Sequence, residues 1–337
     1  MIRILRLLLI IALLPQVATA HQFEVDNIYY NFIDENSVEV TFYSESHTMG
    51  DYKEVQLYSG KVVIPPTVTY EGRTYKVTAI GYRAFEKCLI TSVSIPSTVT
   101  SIGGNAFYQC YKLKKIVIPS SVTSIEPAFS WCEALTSIKI EKGNPVYDSR
   151  DNCNAIVETA RNTLIAGCSK TKIPNTVTRI GNSAFSYCHK LSSITIPNSV
   201  TEIGDNAFAY CEDLRTVNMS NSATIIGAGA FSNCINLKKL SLPPTLKTIK
   251  AAAFSYCYDI ESVTIPNTVT TIGKQAFYPS GLKYIECLAE DPDSMEVAKD
   301  AFQWQVKANS KLIVPANSVE KYKSSDQWKD FKNIVAK

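Results

Sequence analysis

Aligned on an Ala-Phe dipeptide, the chain repeats itself. The phenylalanines fall at Phe85, Phe107, Phe129, Phe185, Phe208, Phe231, Phe254 and Phe277, with a weaker ninth at Phe302, and from Phe185 to Phe277 they recur every 23 residues. A unit this short cannot bury its own apolar face, so the units must stack on one another as the rungs of a solenoid. One rung runs from Cys188 to Tyr210 in the pattern Cys-x-x-Leu-x-x-Ile-x-Ile-Pro-x-Ser/Thr-Val-x-x-Ile-Gly-x-x-Ala-Phe-x-x. Leu191, Ile194 and Ile196 include the period-two alternation of a strand with one buried face, and Pro197 stops it. Val200 and Ile203 are the next inward residues, Gly204 permits a bend, and Asp205 to Phe208 reads as a single helical turn with Asp205 near its start. With adjacent strands about 4.8 Å apart, nine or ten rungs give a body on the order of 45 Å long with two ends that need caps.

Both termini leave the repeat where caps are required. Residues 22 to 60 alternate like hairpin strands, with Asp34-Glu35-Asn36 as a turn, and a smaller hairpin is expected around Tyr70-Glu71-Gly72-Arg73-Thr74. After Cys287 come a degenerate rung at Leu312-Ile313-Val314-Pro315, an amphipathic helix from Ser318, and closing Trp328, Phe331 and Ile334. Before the first cap, Arg3 and Arg6, the apolar run Leu7 to Leu14 and Ala18-Thr19-Ala20 read as an export signal, placing the mature start at His21. The first cysteine is Cys88, so no lipid-anchor site follows the expected cleavage point, and no later run is long enough for a membrane span. The expected organisation is a signal at 1–20, an N-terminal β cap at 21–60, the repeats at 61–286 with an insert at about 141–170, and a degenerate repeat and cap at 287–337.

That insert is the one large break in the period. Ala155-Ile156-Val157 and Leu164-Ile165-Ala166 flank Thr159-Ala160-Arg161-Asn162, which reads as a hairpin. A symmetric turn would set Cys153 opposite Cys168, giving a cross-hairpin disulfide, with two free thiols as the alternative. The other repeat cysteines, Cys88, Cys110, Cys132, Cys188, Cys211, Cys234 and Cys257, occur once per rung. Their parallel side chains suit buried free thiols better than disulfides, and a column spaced like strands does not converge on a metal.

The pattern IPxSVTxIGxxAFxxC resembles the BspA-like subclass of leucine-rich repeats, over roughly residues 61 to 286. The flanking YSGKVVIPPTVTYEGRTYKVTAIG and LIVPANSVEKYKSSDQWKDFKNI are similar to that family's caps. The chain departs from ordinary leucine-rich repeats in carrying Thr98, Ser121, Thr176, Ser199, Ser222, Thr245 and Thr268 where Cys or Asn would be expected. The fold expected is therefore α/β in class: a strand-rich leucine-rich-repeat solenoid with short helical turns, a β-hairpin N-cap and a small C-terminal cap. The resemblance adds right-handed stacking, a concave strand face, and a role in binding proteins or glycans, often as a surface adhesin.

By alternation, the residues flanking each buried strand position point outward, and they vary most between rungs. Lys115, Lys139, Ser193, Thr195, Thr216, Asn218, Lys239, Ser241, Thr264 and Tyr284 are the candidate ligand-binding residues. They form a hydroxyl-rich ladder with scattered lysines, suited to hydrogen bonding over a broad area. The aromatics beside the cysteines (Trp131, Tyr187, Tyr210, Tyr256, with Tyr111 and Tyr258) read either as packing along the opposite edge or as a stacking surface for sugar rings.

Other function classes find little support. The chain has 34 basic and 31 acidic residues with no long run of either sign, two of the basic ones within residues 1–20, which is not the concentrated basic surface of a nucleic-acid binder. The three histidines are His21, His47 and His189, and no HExxH, GxSxG or phosphate-cradling glycine loop is present. Neither catalysis, a cofactor nor a metal is expected. The expected partner is an extracellular or host protein, with a glycan, or an accessory role in a surface complex, as the alternative, met in the secreted, cell-surface or periplasmic space; oligomeric state is left open.

Overall fold

A computed structural model describes residues 21–42 and 58–337. The expected export signal and His47 lie outside these residues. The chain is a strand-rich β-solenoid of about 11 turns, and each rung contributes to two parallel sheets. One sheet is the strand face, where Lys115–Ile118 pairs with Ser137–Ile140, Ser193–Thr195 with Thr216–Asn218, and Ser262–Ile265 with Tyr284–Cys287. The second sheet is built from two-residue strands of the Thr-x-Ile-Gly segment: Arg179–Ile180, Glu202–Ile203, Ile225–Ile226, Thr248–Ile249 and Thr271–Ile272 stack in parallel register.

The third side is a ladder of tight turns rather than the helical turn expected at Asp205 to Phe208. Ala207, Ala209 and Cys211 each donate to the carbonyl three residues back, while the intervening Asn206, Phe208 and Tyr210 donate forward to Ala228, Ala230 and Ser232 of the next rung. Asn206 and Tyr210 adopt positive φ (55° and 60°), which leaves alternate N–H groups free to bridge rungs. On the Ile-Gly side the direction reverses, with Thr201 and Gly204 donating back to Thr178 and Ile180. Gly204 and Gly227 answer to this stacking and not to positive φ: a Cβ on Gly227 would lie 2.5 Å from the Gly204 carbonyl carbon. Two rungs nonetheless carry Glu126 and Lys250 at the same position.

Inside, the phenylalanines stack face to face. Phe85, Phe107 and Phe129 form one column with 5.3 Å between successive rings, and Phe185 to Phe302 form another at 4.8–5.4 Å. Four of the hydroxyls that stand in place of Cys or Asn, on Thr98, Ser121, Thr245 and Thr268, bond the previous rung: Ser121 Oγ donates to Val99 O at 2.6 Å, and Thr268 Oγ1 lies 2.8 Å from both Pro244 O and Leu246 O. They do with a hydroxyl what a buried amide would do, anchoring the bend to backbone carbonyls.

The two phenylalanine columns belong to two separate core clusters, and the insert lies between them. Ile156–Glu158 and Thr163–Ala166 form the expected antiparallel hairpin, joined by Tyr147–Asp148 on its outer side and by Arg179–Ile180 in parallel. The N-terminal second sheet ends at Ser124–Ile125 and the C-terminal one begins at Tyr147; across the break, Ile125 N donates to Tyr147 Oη at 3.2 Å. Gly167 holds the place where a rung would supply a phenylalanine, and its backbone approaches Phe185 so closely that a Cβ would sit 2.2 Å from the ring. This seam leaves a cleft of ≈ 30 Å³ lined by Phe129, Gly167, Phe185 and the thiols of Cys132, Cys168 and Cys188.

The hairpin overturns the disulfide expectation. Its register shifts at a bulge between Ile156 and Val157: Val157 pairs with Leu164, but Ile156 pairs with Ala166. Beyond the bulge Cys168 faces Asn154, whose carbonyl accepts its S–H at 3.4 Å, and Cys153 turns into the other core cluster. A one-residue slip sends side chains to opposite faces, so both cysteines are free thiols.

At the N-terminus, Phe23–Val25, Ile28–Phe32 and Ser37–Thr41 form a meander that joins Arg73–Ile80. Asp34 Oδ1 accepts from the amides of Asn36 and Ser37 to fix its turn. The smaller hairpin is also present, with Thr67–Tyr70 against Arg73–Ile80 and Glu71 and Gly72 at positive φ. At the other end Lys311–Val314 adds a strand to the strand face, and a short helix, Val319–Ser324, follows. Tyr322, Trp328 and Phe331 are buried over the last rung, and Gln327 Oε1 accepts from Val297 N, capping the edge of the second sheet.

Candidate functional site on the strand face

Each rung presents outward residues on both sides of a buried one. Ile116, Ile138, Ile194, Val217, Val263 and Ile285 are buried, and the register sets their neighbours in two columns. Lys115 stands beside Ser137, Ser193 beside Thr216, Thr216 beside Lys239, and Ser262 beside Tyr284; in the second column Val117 stands beside Lys139, Thr195 beside Asn218, and Thr264 beside Glu286. Of the ten candidates, Lys115, Lys139, Ser193, Thr195, Asn218, Lys239, Ser241, Thr264 and Tyr284 are exposed, and Thr216 is half-buried. The structure therefore brings them onto one side of the solenoid, where their strands pair in three separate groups. Asn218 Nδ2 donates to Thr195 Oγ1 at 3.1 Å and Thr264 Oγ1 to Glu286 at 3.0 Å, so parts of the ladder are held in place across rungs.

Alternation from the buried residue missed a third outward position, one residue earlier. Lys114, Arg215 and Lys238 occupy it and are exposed, and Lys238 N donates to Arg215 O at 3.2 Å, setting two cations on adjacent rungs. The signal was legible as the second residue of each Leu-x-x-Ile segment, at the same 23-residue spacing in Arg215 and Lys238. Toward the C-terminus acids join the face, each matched to a cation: Glu261 with Lys283, and Glu286 with Lys337 at 2.7 Å. The Lys337 ammonium, with lesser help from Thr264, holds the Glu286 carboxyl below its usual range.

Part of the aromatic edge is occupied by itself, while Tyr256 and Tyr258 are exposed and meet only edge-on at 6.2 Å. Tyr187 stacks on Tyr210 at 4.4 Å and 10°, and Trp131 packs on Tyr187 and, edge-on, on His189, each at 4.9 Å. Rings that cover one another's faces along the solenoid axis do not offer those faces to a sugar. Trp131 instead carries the edge across the seam, reaching Tyr108 and Tyr111 at 6.3 and 6.5 Å.

The cysteine column is structural. Cys110, Cys132, Cys211, Cys234 and Cys257 donate their S–H to the carbonyls of Phe85, Phe107, Phe185, Phe208 and Phe231 of the preceding rung at 3.0–3.2 Å. Burial pushes the Cys211 and Cys257 thiols up to about 12. Cys188, beside His189, is also pushed well above its ordinary value by burial, the reverse of the lowered pKa that activates a nucleophile. The imidazole faces Glu212, with Nδ1 at 3.7 Å. Among the described residues no group of three or more His, Cys, Asp or Glu is arranged to hold a metal ion, and the seam cleft is an order of magnitude smaller than an organic-ligand pocket.

A capped parallel solenoid with a variable, exposed strand face defines a leucine-rich-repeat protein. The BspA type Leucine rich repeat region matches residues 73–153 and 164–283 in six copies, so the chain belongs to that family. It is similar to a leucine-rich repeat protein from Bacteroides ovatus ATCC 8483, at 32% identity and TM-score 0.53, over 94% of this chain and 71% of that one. It shares its fold with the pneumococcal vaccine antigen PcpA, at 17% identity and TM-score 0.59, over 95% of this chain and 99% of that one. A leucine rich cell surface protein from Faecalibacterium prausnitzii A2-165 aligns at 26% identity and TM-score 0.46, over 79% and 94% of the two chains. No curated protein matches the chain.

Proposed function

We propose that this is an exported, non-enzymatic, adhesin-like binding protein that recognises protein ligands through the outward side chains of its strand face. The observation that carries the reading is the exposed strand face between Lys115 and Tyr284, whose backbone is fixed by rung stacking within each group of strands while its side chains differ from rung to rung. Contact at many points, each contributing little, gives such a surface affinity without a deep pocket. Export rests on the basic, apolar and small-residue sequence of the first 20 residues. Among the described residues no helix is long and apolar enough to cross a membrane.

The test is binding of residues 21–337 to immobilised extracellular-matrix proteins and to a glycan array, beside a variant carrying Lys115→Glu, Lys139→Glu and Lys239→Glu. Saturable binding to a protein, weakened in the variant with its circular dichroism unchanged, is expected. Binding confined to glycans, or turnover of a bound substrate, would replace this reading.

A further inference from the structure

The charges on the strand face are unevenly distributed, and the unevenness selects a partner. From Thr91 to Ser241 the three outward positions of the regular rungs carry Lys114, Lys115, Lys139, Arg215, Lys238 and Lys239 and no Asp or Glu; the rung after the insert adds Lys170 and Lys172, and the exposed Glu141 follows Lys139 by two residues. None of the six makes an ion pair among the described residues; the acids that do lie on the face, Glu261 and Glu286, sit further along and are engaged by Lys283 and Lys337. Like charges side by side on neighbouring strands are unfavourable, yet Arg215 and Lys238 are backbone neighbours and Lys239 follows directly.

Resting on the strand-face reading above, we infer that this face binds an extended acidic segment of a protein, whose carboxylates meet two clusters of cations. One cluster is Lys114, Lys115 and Lys139 on adjacent rungs; the other is Arg215, Lys238 and Lys239 on adjacent rungs. They lie on opposite sides of the seam, and their outermost members, Lys115 and Lys239, are five rungs or about 25 Å apart at strand spacing. Between them lie Ser193 and Thr195, which offer hydroxyls, and Lys172, which the repeat alignment sets in the column of Thr195. The arrangement fits a polypeptide better than an anionic polysaccharide. A polymer with a regular charge repeat would be matched by a regular column of cations, whereas here the cations are unevenly spaced, with Lys170 and Lys172 extending the first group and the neutral rung of Ser193 and Thr195 separating it from the second. Val117, 44% exposed beside Lys139, adds an apolar contact that an amino-acid side chain fills.

The experiment measures binding of residues 21–337 to an oligo-glutamate peptide, with length-matched oligo-glutamine and a heparin oligosaccharide in parallel. Saturable binding of oligo-glutamate at low salt is expected, lost at 1 M salt, where screening shortens to about 3 Å, and absent for oligo-glutamine. Lys115→Glu with Lys139→Glu, and separately Arg215→Glu with Lys238→Glu, should each weaken it about tenfold or more, while Lys321→Glu on the C-terminal helix leaves it unchanged. Tighter binding of heparin than of oligo-glutamate would overturn the inference in favour of an anionic glycan. Equal weakening by Lys321→Glu would reduce it to non-specific charge. Failure to bind oligo-glutamate, with saturable binding to a matrix protein still lost in the lysine variant, would overturn the acidic-segment inference and leave the strand-face reading standing.

Discussion

Phe231→Ala tests whether the stacked phenylalanines hold the array together. Phe231 is fully buried, with Phe208 at 5.1 Å on one side and Phe254 at 5.4 Å on the other. Truncating a buried phenylalanine costs about 3–5 kcal/mol, and two ring pairs of about 0.5–1.5 kcal/mol each place this one at the upper end, about 5 kcal/mol. Phe129 provides the internal comparison. It stacks only on Phe107, its other side meets the seam cleft, and it is 9% exposed, so Phe129→Ala should cost about 3 kcal/mol. Because stability in a repeat array is a sum of local and nearest-neighbour terms, urea unfolding alone does not say where the loss falls. Hydrogen exchange read by mass spectrometry does: Phe231→Ala should raise exchange at Ser193–Thr195, Thr216–Asn218 and Ser262–Ile265 and leave Leu89–Ser94 and Lys115–Ile118 protected. Equal losses for the two variants, a loss below about 2 kcal/mol for Phe231→Ala, or uniform deprotection across the seam would refute the two-core, stacked-spine account.

Gly167→Ala places a Cβ against the Phe185 ring and should destabilise by about 1–3 kcal/mol of overpacking, seen as a lower urea midpoint; an unchanged midpoint would mean the seam is slack. Non-reducing peptide mapping should find Cys153 and Cys168 unlinked, and thiol titration should find all ten cysteines reacting only in denaturant; a Cys153–Cys168 peptide would overturn the register. The buried thiols have raised pKa values, Cys88, Cys211 and Cys257 at about 12. The unfolded chain, titrating near about 9, releases these protons first, so stability is full below pH 9 and falls as pH rises from there toward 12. A urea midpoint that rises between pH 8 and pH 10.5 would contradict this. Thr268→Val removes the hydroxyl shared by Pro244 O and Leu246 O and should cost about 1 kcal/mol by the same assay.

The repeat made most of this architecture readable, because each rung restates the same inward positions: Leu191, Ile194, Val200, Ile203 and Phe208 were assigned to the core from spacing alone, and all are buried. Three features were not readable, for three different reasons. The turn ladder depends on Asn206 and Tyr210 adopting positive φ, which Asp-Asn-Ala-Phe does not announce against a helical turn. The bulge at Ile156 and Val157 is an event of register, invisible to a symmetric count, and it alone separates Cys153 from Cys168. The glycine at Gly227 answers to the close approach of the neighbouring rung's backbone, a contact 23 residues away in sequence. On the strand face, alternation found the pairs around each buried residue but passed over Lys114, Arg215 and Lys238, because they lie one step outside the period-two pattern while sharing its surface.

The opposed hydrogen-bond ladders bear on how such an array grows. In an α-helix aligned peptide dipoles accumulate to roughly half a charge at each end, so length and terminal field are tied. Here Asn206, Phe208 and Tyr210 donate toward the C-terminal rung while Thr201 and Gly204 donate toward the N-terminal one, and the two columns of dipoles offset each other along the axis. A duplicated or deleted rung thus changes the reach of the molecule without charging its ends. The potential a ligand meets is set by replaceable side chains, which leaves evolution free to vary copy number and charge pattern independently.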